Sequence, residues 1–152
     1  MDRAKERVYL TQDKKKQEAA IVDIDGTIAL MNGRGIHESN RVDEDIVNKP
    51  VADMVDFMYH SGVKIILVTG RKESCKVLTE GWLAANDIPY DALYMRSEGD
   101  RRPDFEVKEM IFNKHLRDSE YNFVAVFEDR DQVVKMWRNL GLQTYQVWEG
   151  NF

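Results

Sequence analysis

From Ala19 onward, short apolar runs alternate with stretches of helical period. Ala19-Ala20-Ile21-Val22 reads as a buried strand, with Asp23 and Asp25 at its end. Residues 26–42, with Gly26, Asn32, Gly33, Gly35 and Asn40, have turn chemistry and no helical period. The spacing of Val51, Met54, Val55 and Met58 predicts a helix over 44–61, with Pro50 in an early turn and Ser61-Gly62 closing it. Residues 63–69, Val-Lys-Ile-Ile-Leu-Val-Thr, are the clearest buried strand. A helix is expected over 72–86 with Val77, Leu78, Trp82 and Leu83 inward, then a short strand over 91–95. Residues 96–103 form a charged loop, and 104–117 a helix with Val107, Met110, Ile111 and Leu116 as its stripe. A strand over 122–127, a helix over 130–140 and a last strand over 142–148 complete the order.

Strands alternating with helices predict an α/β architecture: a Rossmann-like three-layer sandwich around a parallel sheet of about five strands, joined by right-handed crossovers. Residues 1–18 are polar and Lys-, Glu- and Gln-rich, so they read as a leader or interdomain linker, with residues 19–152 as the domain. The Lys14-Lys15-Lys16 run is read as solvated.

Composition sets the limits. The chain has 152 residues, enough for one domain with a sizeable core. The formal net charge of −5 gives no global case for nucleic-acid binding, so a polyanion would need a local basic patch. No apolar run approaches the roughly 20 residues of a membrane helix, and the charged start lacks a signal-peptide core. The single cysteine, Cys75, excludes an internal disulfide, and a reducing cytoplasm is the default.

The polar residues fall where a parallel sheet binds ligands. The first strand ends at Asp23 and Asp25, the second at Thr69-Gly70-Arg71, and the fourth at Glu128-Asp129-Arg130. Four carboxylates and at least two guanidiniums would then share one crevice. Two like charges about 4 Å apart repel by roughly 4 kcal/mol at an effective dielectric near 20, so a cation is demanded. Oxygen-only ligands favour Mg²⁺, and no His or Cys pair has zinc spacing. Lys108 lies one turn beyond Asp104, where the two can pair along the helix.

Asp23-Ile24-Asp25-Gly26-Thr27, Thr69, Lys108 and Glu128-Asp129 occur in the order of the four motifs of the haloacid dehalogenase (HAD) superfamily, which the chain resembles. Residues 19–152 further resemble the 3′-phosphatase domain of phage-type polynucleotide kinase/phosphatase. The likeness includes Met31-Asn32-Gly33-Arg34-Gly35, Thr69-Gly70-Arg71, Val107-Lys108-Glu109 and Glu128-Asp129-Arg130-Asp131-Gln132-Val133-Val134. It continues through Met136-Trp137-Arg138, Gln146-Val147-Trp148 and Gly150-Asn151-Phe152. The resemblance implies a HAD-like fold with a minimal cap, and removal of 3′-phosphate from DNA or RNA ends through an aspartyl-phosphate. Asp23 would be the nucleophile and Asp25 the general acid and base. Mg²⁺ would be held by Asp23, the Asp25 backbone carbonyl and Asp129, while Thr69 and Lys108 would bind phosphate oxygens. Arg34, Arg71, Gly70 and Arg130 would contact substrate or organise the site, and Asp104 would orient Lys108. The close family usually carries two aspartates where Glu128-Asp129 stands. The metal therefore goes to Asp129, with Glu128 beside it or bound through water. Self-association through this domain is also implied. No Gly-x-x-x-x-Gly-Lys-Ser/Thr loop occurs, so kinase activity would need a further domain in a longer parent protein.

Other readings have weaker support. A HAD phosphatase for free nucleotides or other small phosphate esters shares the motifs. It differs in the lid, and residues 26–42 are too few for a cap domain. A receiver-like module would need an acid at the end of strand 91–95, where Met95 and Arg96 stand. A non-catalytic nucleic-acid-binding module fits poorly with an intact Asp23, Asp25, Thr69 and Lys108. Residues 27–34 lack the ligands of a calcium loop. Cys75 lacks the arginine of a cysteine phosphatase, since position 81 is Gly, and reads as a buried small residue. His37, His60 and His115 read as surface or helix-end residues. Trp82, Trp137 and Trp148 read as core or interface, and Arg96, Arg101 and Arg102 as a solvated loop.

Overall fold

In the computed structural model, which describes residues 6–152, the first apolar run forms the inner part of β1 (Gln17–Val22). A two-stranded antiparallel flap of β2 (Ala29–Leu30) and β3 (Ile46–Val47) follows. Then come α1 (Lys49–His60), β4 (Lys64–Lys72), α2 (Lys76–Ala85) and β5 (Ala92–Arg96). The chain continues through α3 (Asp104–Ile111), β6 (Tyr121–Glu128), α4 (Asp131–Asn139) and β7 (Thr144–Gln146). The main sheet is parallel, in the order β5-β4-β1-β6-β7. After β5 the chain crosses back to the far side of β1, so the strand order reverses there. That reversal opens a crevice beyond the strand ends, where Asp23 leaves β1.

Alternation along β1 builds both halves of the core. Ala19 and Ile21 pack with Val107, Ile111, Val133 and Trp137 from α3 and α4. Ala20 and Val22 pack with Val51, Val55, Trp82 and Leu83 from α1 and α2. This is the expected three-layer α/β sandwich, with the flap as its minimal cap. Trp82 and Trp137 are core, whereas Trp148 is exposed.

Several element bounds differ from the sequence reading. The helix expected from 44 begins at Lys49, because Ile46 and Val47 pair with the flap and Asn48 N–H donates to the Ile28 carbonyl at 2.9 Å. Pro50 sits in the first turn, where its missing N–H breaks no helical bond. The helix expected from 72 begins at Lys76 after a 3-10 turn at Glu73–Cys75. Its buried stripe is Cys75, Thr79, Trp82 and Leu83, which leaves Val77 off the stripe and 82% exposed rather than inward. Met54 likewise faces solvent. β6 carries a bulge: Ala19 pairs with Phe123 but Ala20 with Ala125, leaving Val124 extra.

Of the leader expected over 1–18, residues 1–5 lie outside the described residues, and Gln17 and Glu18 already belong to β1. The rest lies along the domain. Leu10 N–H donates to the Gly141 carbonyl at 2.9 Å, and the Gln12 side chain exchanges bonds of 2.9 and 2.7 Å with the backbone of Phe123. Among the described residues no helix is long and apolar enough to cross a membrane.

Candidate active site

Asp23 is extracted from water by its position. It sits one residue past β1, and its N–H donates to the Phe127 carbonyl of β6 at 3.0 Å. Its carboxylate is nearly buried and doubly held. Lys108 Nζ donates to Oδ1 at 2.7 Å and Thr27 Oγ1 to Oδ2 at 2.9 Å. Lys108, 1% exposed, also reaches Glu128 Oε2 at 2.7 Å and Asp104 Oδ2 at 3.4 Å. The helix pair with Asp104 is thus the longest of its three contacts, and Lys108 is a buried hub instead of a surface ion pair.

Burial and the neighbouring Glu128 push the Asp23 carboxyl well above the usual carboxylate range. Burial also raises Glu128, and raises Asp129 to about 6 with help from Asp23. Burial on its own would lower the Lys108 ammonium, but Asp23, Glu128 and Asp104 outweigh it and raise it. Three acids and one lysine leave an excess of negative charge under low dielectric.

Asp25 is held differently. Arg71 donates Nη2 to its Oδ1 at 2.8 Å and Nε to its Oδ2 at 3.0 Å, while Arg34 Nη2 reaches Oδ1 at 3.1 Å. Both arginines are fastened from behind by Asp45, whose side chain is fully buried. Arg34 Nε and Nη2 lie 2.7 and 2.8 Å from Asp45, and Arg71 Nη2 lies 2.8 Å from it. Trp82 Nε1 fixes the Asp45 carbonyl at 2.7 Å. Oδ1 of Asp25 is therefore saturated by two guanidiniums, leaving Oδ2 the freer oxygen.

Two glycines permit this crowding. A Cβ on Gly26, which has φ +78°, would strike the Asp129 carboxylate, and one on Gly70 would strike Asp104. The Asp104 carboxylate thus packs against the end of β4, with Arg96 Nη2 3.5 Å away. Thr69 is fully buried, and its hydroxyl accepts from Arg71 N–H at 3.1 Å. Above this floor opens a crevice of about 610 Å³, lined by Asp23, Asp25, Asp129 and Glu128, with Arg34, Arg71, Arg96, Arg102 and Arg130 around them.

One oxygen each from Asp23, Glu128 and Asp129 lies within 4.8 Å of the others, and all three residues are buried. A donor set of oxygens only, with raised carboxyls, fits a hard divalent cation. Glu128 belongs to this group by distance, but its oxygens are committed. Oε2 is bonded to Lys108, and Oε1 accepts from the N–H groups of Asp129 and Arg130 at 3.2 and 3.4 Å. Asp129, whose carboxylate accepts only a 3.5 Å contact from the Thr27 hydroxyl among the described residues, is the freest anionic donor, and Asp23 shares the cluster while held by Lys108 and Thr27.

Comparison with known proteins places the chain in a family. Residues 17–152 match the polynucleotide kinase PNKP phosphatase domain. The chain belongs to that phosphatase-domain family. It is 34% identical over 140 residues to a protein of Autographa californica nuclear polyhedrosis virus described as a bifunctional polynucleotide kinase/RNA ligase. That match covers 90% of this chain and 20% of the viral protein. A chain in the solved structure of the Pnkp1/Rnl/Hen1 RNA repair complex superposes with a TM-score of 0.95 at 36% identity, over 99% of this chain and 48% of that one. The chain thus spans from one fifth to one half of the length of these relatives. A D,D-heptose 1,7-bisphosphate phosphatase from B. bronchiseptica shares the fold at a TM-score of 0.62 and 14% identity, over 85% of this chain and 79% of that one.

Within this PNKP-type phosphatase domain, the residues expected from sequence converge, with three exceptions of placement. Thr69 and Lys108 lie beneath the crevice floor rather than on its lining. Arg130 turns to the chain's end, its Nε 2.6 Å from the Phe152 carbonyl. Asp45 was missed by sequence reasoning. It follows Asp43 and Glu44, and nothing in that acidic run marks which carboxylate turns inward. Arg96 and Arg102 are also tied more closely than a solvated loop implies. Arg96 donates to the Gly70 and Arg102 carbonyls at 3.0 and 2.6 Å, and Arg102 pairs with Asp100 at 2.7 Å. The three histidines are exposed, and Cys75 is buried.

Proposed function

We propose that this domain is a Mg²⁺-dependent phosphomonoesterase that removes 3′-phosphate from polynucleotide ends, within a longer nucleic-acid repair protein. The observation that carries the reading is the contrast between its two strand-end acids. Asp23 is buried against a cation, and Asp25 is held at the crevice by two arginines. The two acids thereby occupy separate environments, and their division into nucleophile and proton donor follows the order of the family motif.

In this reading an Asp23 oxygen attacks phosphorus, and the bond from phosphorus to the ribose 3′-oxygen breaks. Asp25, through Oδ2, gives its proton to that leaving oxygen. Asp25 then takes a proton from water, whose oxygen attacks the aspartyl-phosphate and releases inorganic phosphate with Asp23 restored. Lys108, beneath the floor, supplies positive charge behind the Asp23 carboxylate, and the Thr69 hydroxyl, also buried, accepts from the Arg71 N–H. Asp23 and Asp129 would hold Mg²⁺, with the Asp25 carbonyl, and the ion would neutralise the phosphoryl charge when bound. Glu128 keeps Lys108 placed. The short flap supports polymer access, since it carries only two-residue strands.

The test compares turnover of a 3′-phosphorylated oligonucleotide with that of free mononucleotides in Mg²⁺. A clear preference for the oligonucleotide supports the reading. Turnover of mononucleotides alone would replace it with a small-ester phosphatase.

A further inference from the structure

Phe152 is 65% exposed yet lines the same crevice as Asp23 and Asp25. Single exposed phenylalanines are ordinary. What sets this one apart is how it is seated. The Phe152 N–H donates to the Gly150 carbonyl at 2.9 Å, and that carbonyl also accepts from Asp131 N–H at 2.9 Å. Gly150 lies so close to the backbone of Asp129 and Arg130 that a Cβ there would overlap it. Arg130 Nε holds the Phe152 carbonyl at 2.6 Å, and the Arg130 guanidinium stands over the ring at 5.4 Å from its centroid. The ring is therefore fastened to the very turn that carries Asp129, at a fixed offset from the acids. The guanidinium covers part of the ring, which is otherwise exposed at the crevice. On the flap, Ile36 is 71% exposed and lines the same space.

The crevice is larger than a phosphate group requires, and among the described residues lining it Phe152 carries the one benzene ring. We infer that Phe152, backed by Arg130, is a stacking platform for the nucleobase of the phosphate-bearing terminal nucleotide. The inference rests on the polynucleotide end-phosphatase reading above. A flat ring reads a base by its π-face, so the platform accepts any of the bases while rejecting an end that lacks one. It would make the terminal base a determinant of affinity, whereas the phosphoryl chemistry stays with Asp23 and Asp25.

The test measures KM in Mg²⁺ for two oligonucleotides that differ only in the terminal 3′-phosphorylated nucleotide, one with its base and one abasic. The parent protein should favour the base-bearing end by on the order of tenfold in KM. Phe152→Ala should erase that difference, and Phe152→Tyr should keep it. If Phe152 only positions Arg130, Phe152→Ala will raise KM equally for both ends and the preference will survive, which overturns the inference. A parent protein indifferent to the base overturns it equally. If the parent dephosphorylates neither oligonucleotide, the end-phosphatase reading itself fails and takes the platform with it.

Discussion

Lys108 Nζ stands 2.7 Å from Asp23 Oδ1, with both side chains withdrawn from solvent. A buried ion pair owes little net stability to its own attraction, but removing one partner strands the other charge. Lys108→Met should therefore lower stability by about 3–5 kcal/mol in the metal-free protein, read by urea unfolding. Adding Glu128→Gln to Lys108→Met should recover part of the loss, since one stranded carboxylate is removed. Equal stability of Lys108→Met and the parent would contradict the hub role of this lysine.

Asp45 touches no part of the crevice floor, yet it holds both arginines that hold Asp25. Asp45→Asn breaks the charge-assisted bonds and lets Arg34 and Arg71 move. A loss of about 100-fold in kcat is expected, in line with the cost of displacing a reacting group by an ångström. The Mg²⁺-induced rise in Tm should persist, because Asp23 and Asp129 do not contact Asp45. A variant with unchanged kcat would show that Asp25 needs no such support.

The two strand-end acids of β6 are expected to separate on substitution. Asp129→Asn removes a free donor from the oxygen cluster and should abolish the Mg²⁺-induced rise in Tm. Glu128→Gln should retain most of that rise while losing activity, because its oxygens serve Lys108 and the backbone. The opposite pattern would place the metal on Glu128.

Asp129, raised to about 6, sets a pH dependence. A carboxyl whose folded value exceeds its unfolded one favours the fold below the unfolded value, and that contribution is lost as pH rises through the folded value. For Asp129 the window runs from its ordinary value of 3.8 to about 6. Asp23 and Glu128 are also raised and act with the same sign. The metal-free protein should thus lose stability across that window. Mg²⁺ binds the ionised form, so its stabilising effect should grow over the same interval. Thermal melts at about pH 5 and about pH 7.5, with and without Mg²⁺, check both signs. A Mg²⁺ shift larger at the lower pH would contradict the assignment.

The strands were legible because each is an apolar run closed by a polar residue, and parallel order turns those ends into one site. Asp23, Asp25 and Asp129 were readable for that reason, and Lys108, on α3, only through the family motifs. Val77 shows where periodicity fails. The 3-10 turn before α2 moves the inward stripe onto Cys75 and Thr79, and no spacing of apolar residues announces it. Asp45 shows a second limit. Its role comes from Arg34 and Arg71, which are 11 and 26 residues away in sequence, and from burial that an acidic run does not advertise. The bulge at Val124 is likewise set by pairing with β1 and not by β6 alone.

The most direct measurement is release of inorganic phosphate from a 3′-phosphorylated oligonucleotide in Mg²⁺, by the parent protein and by Asp23→Asn. The parent should release phosphate and leave a 3′-hydroxyl end. Asp23→Asn should keep the fold by circular dichroism and lose activity by at least about 1000-fold, the scale expected when a nucleophile is removed. Phosphate release by Asp23→Asn at a rate near the parent's would contradict the account.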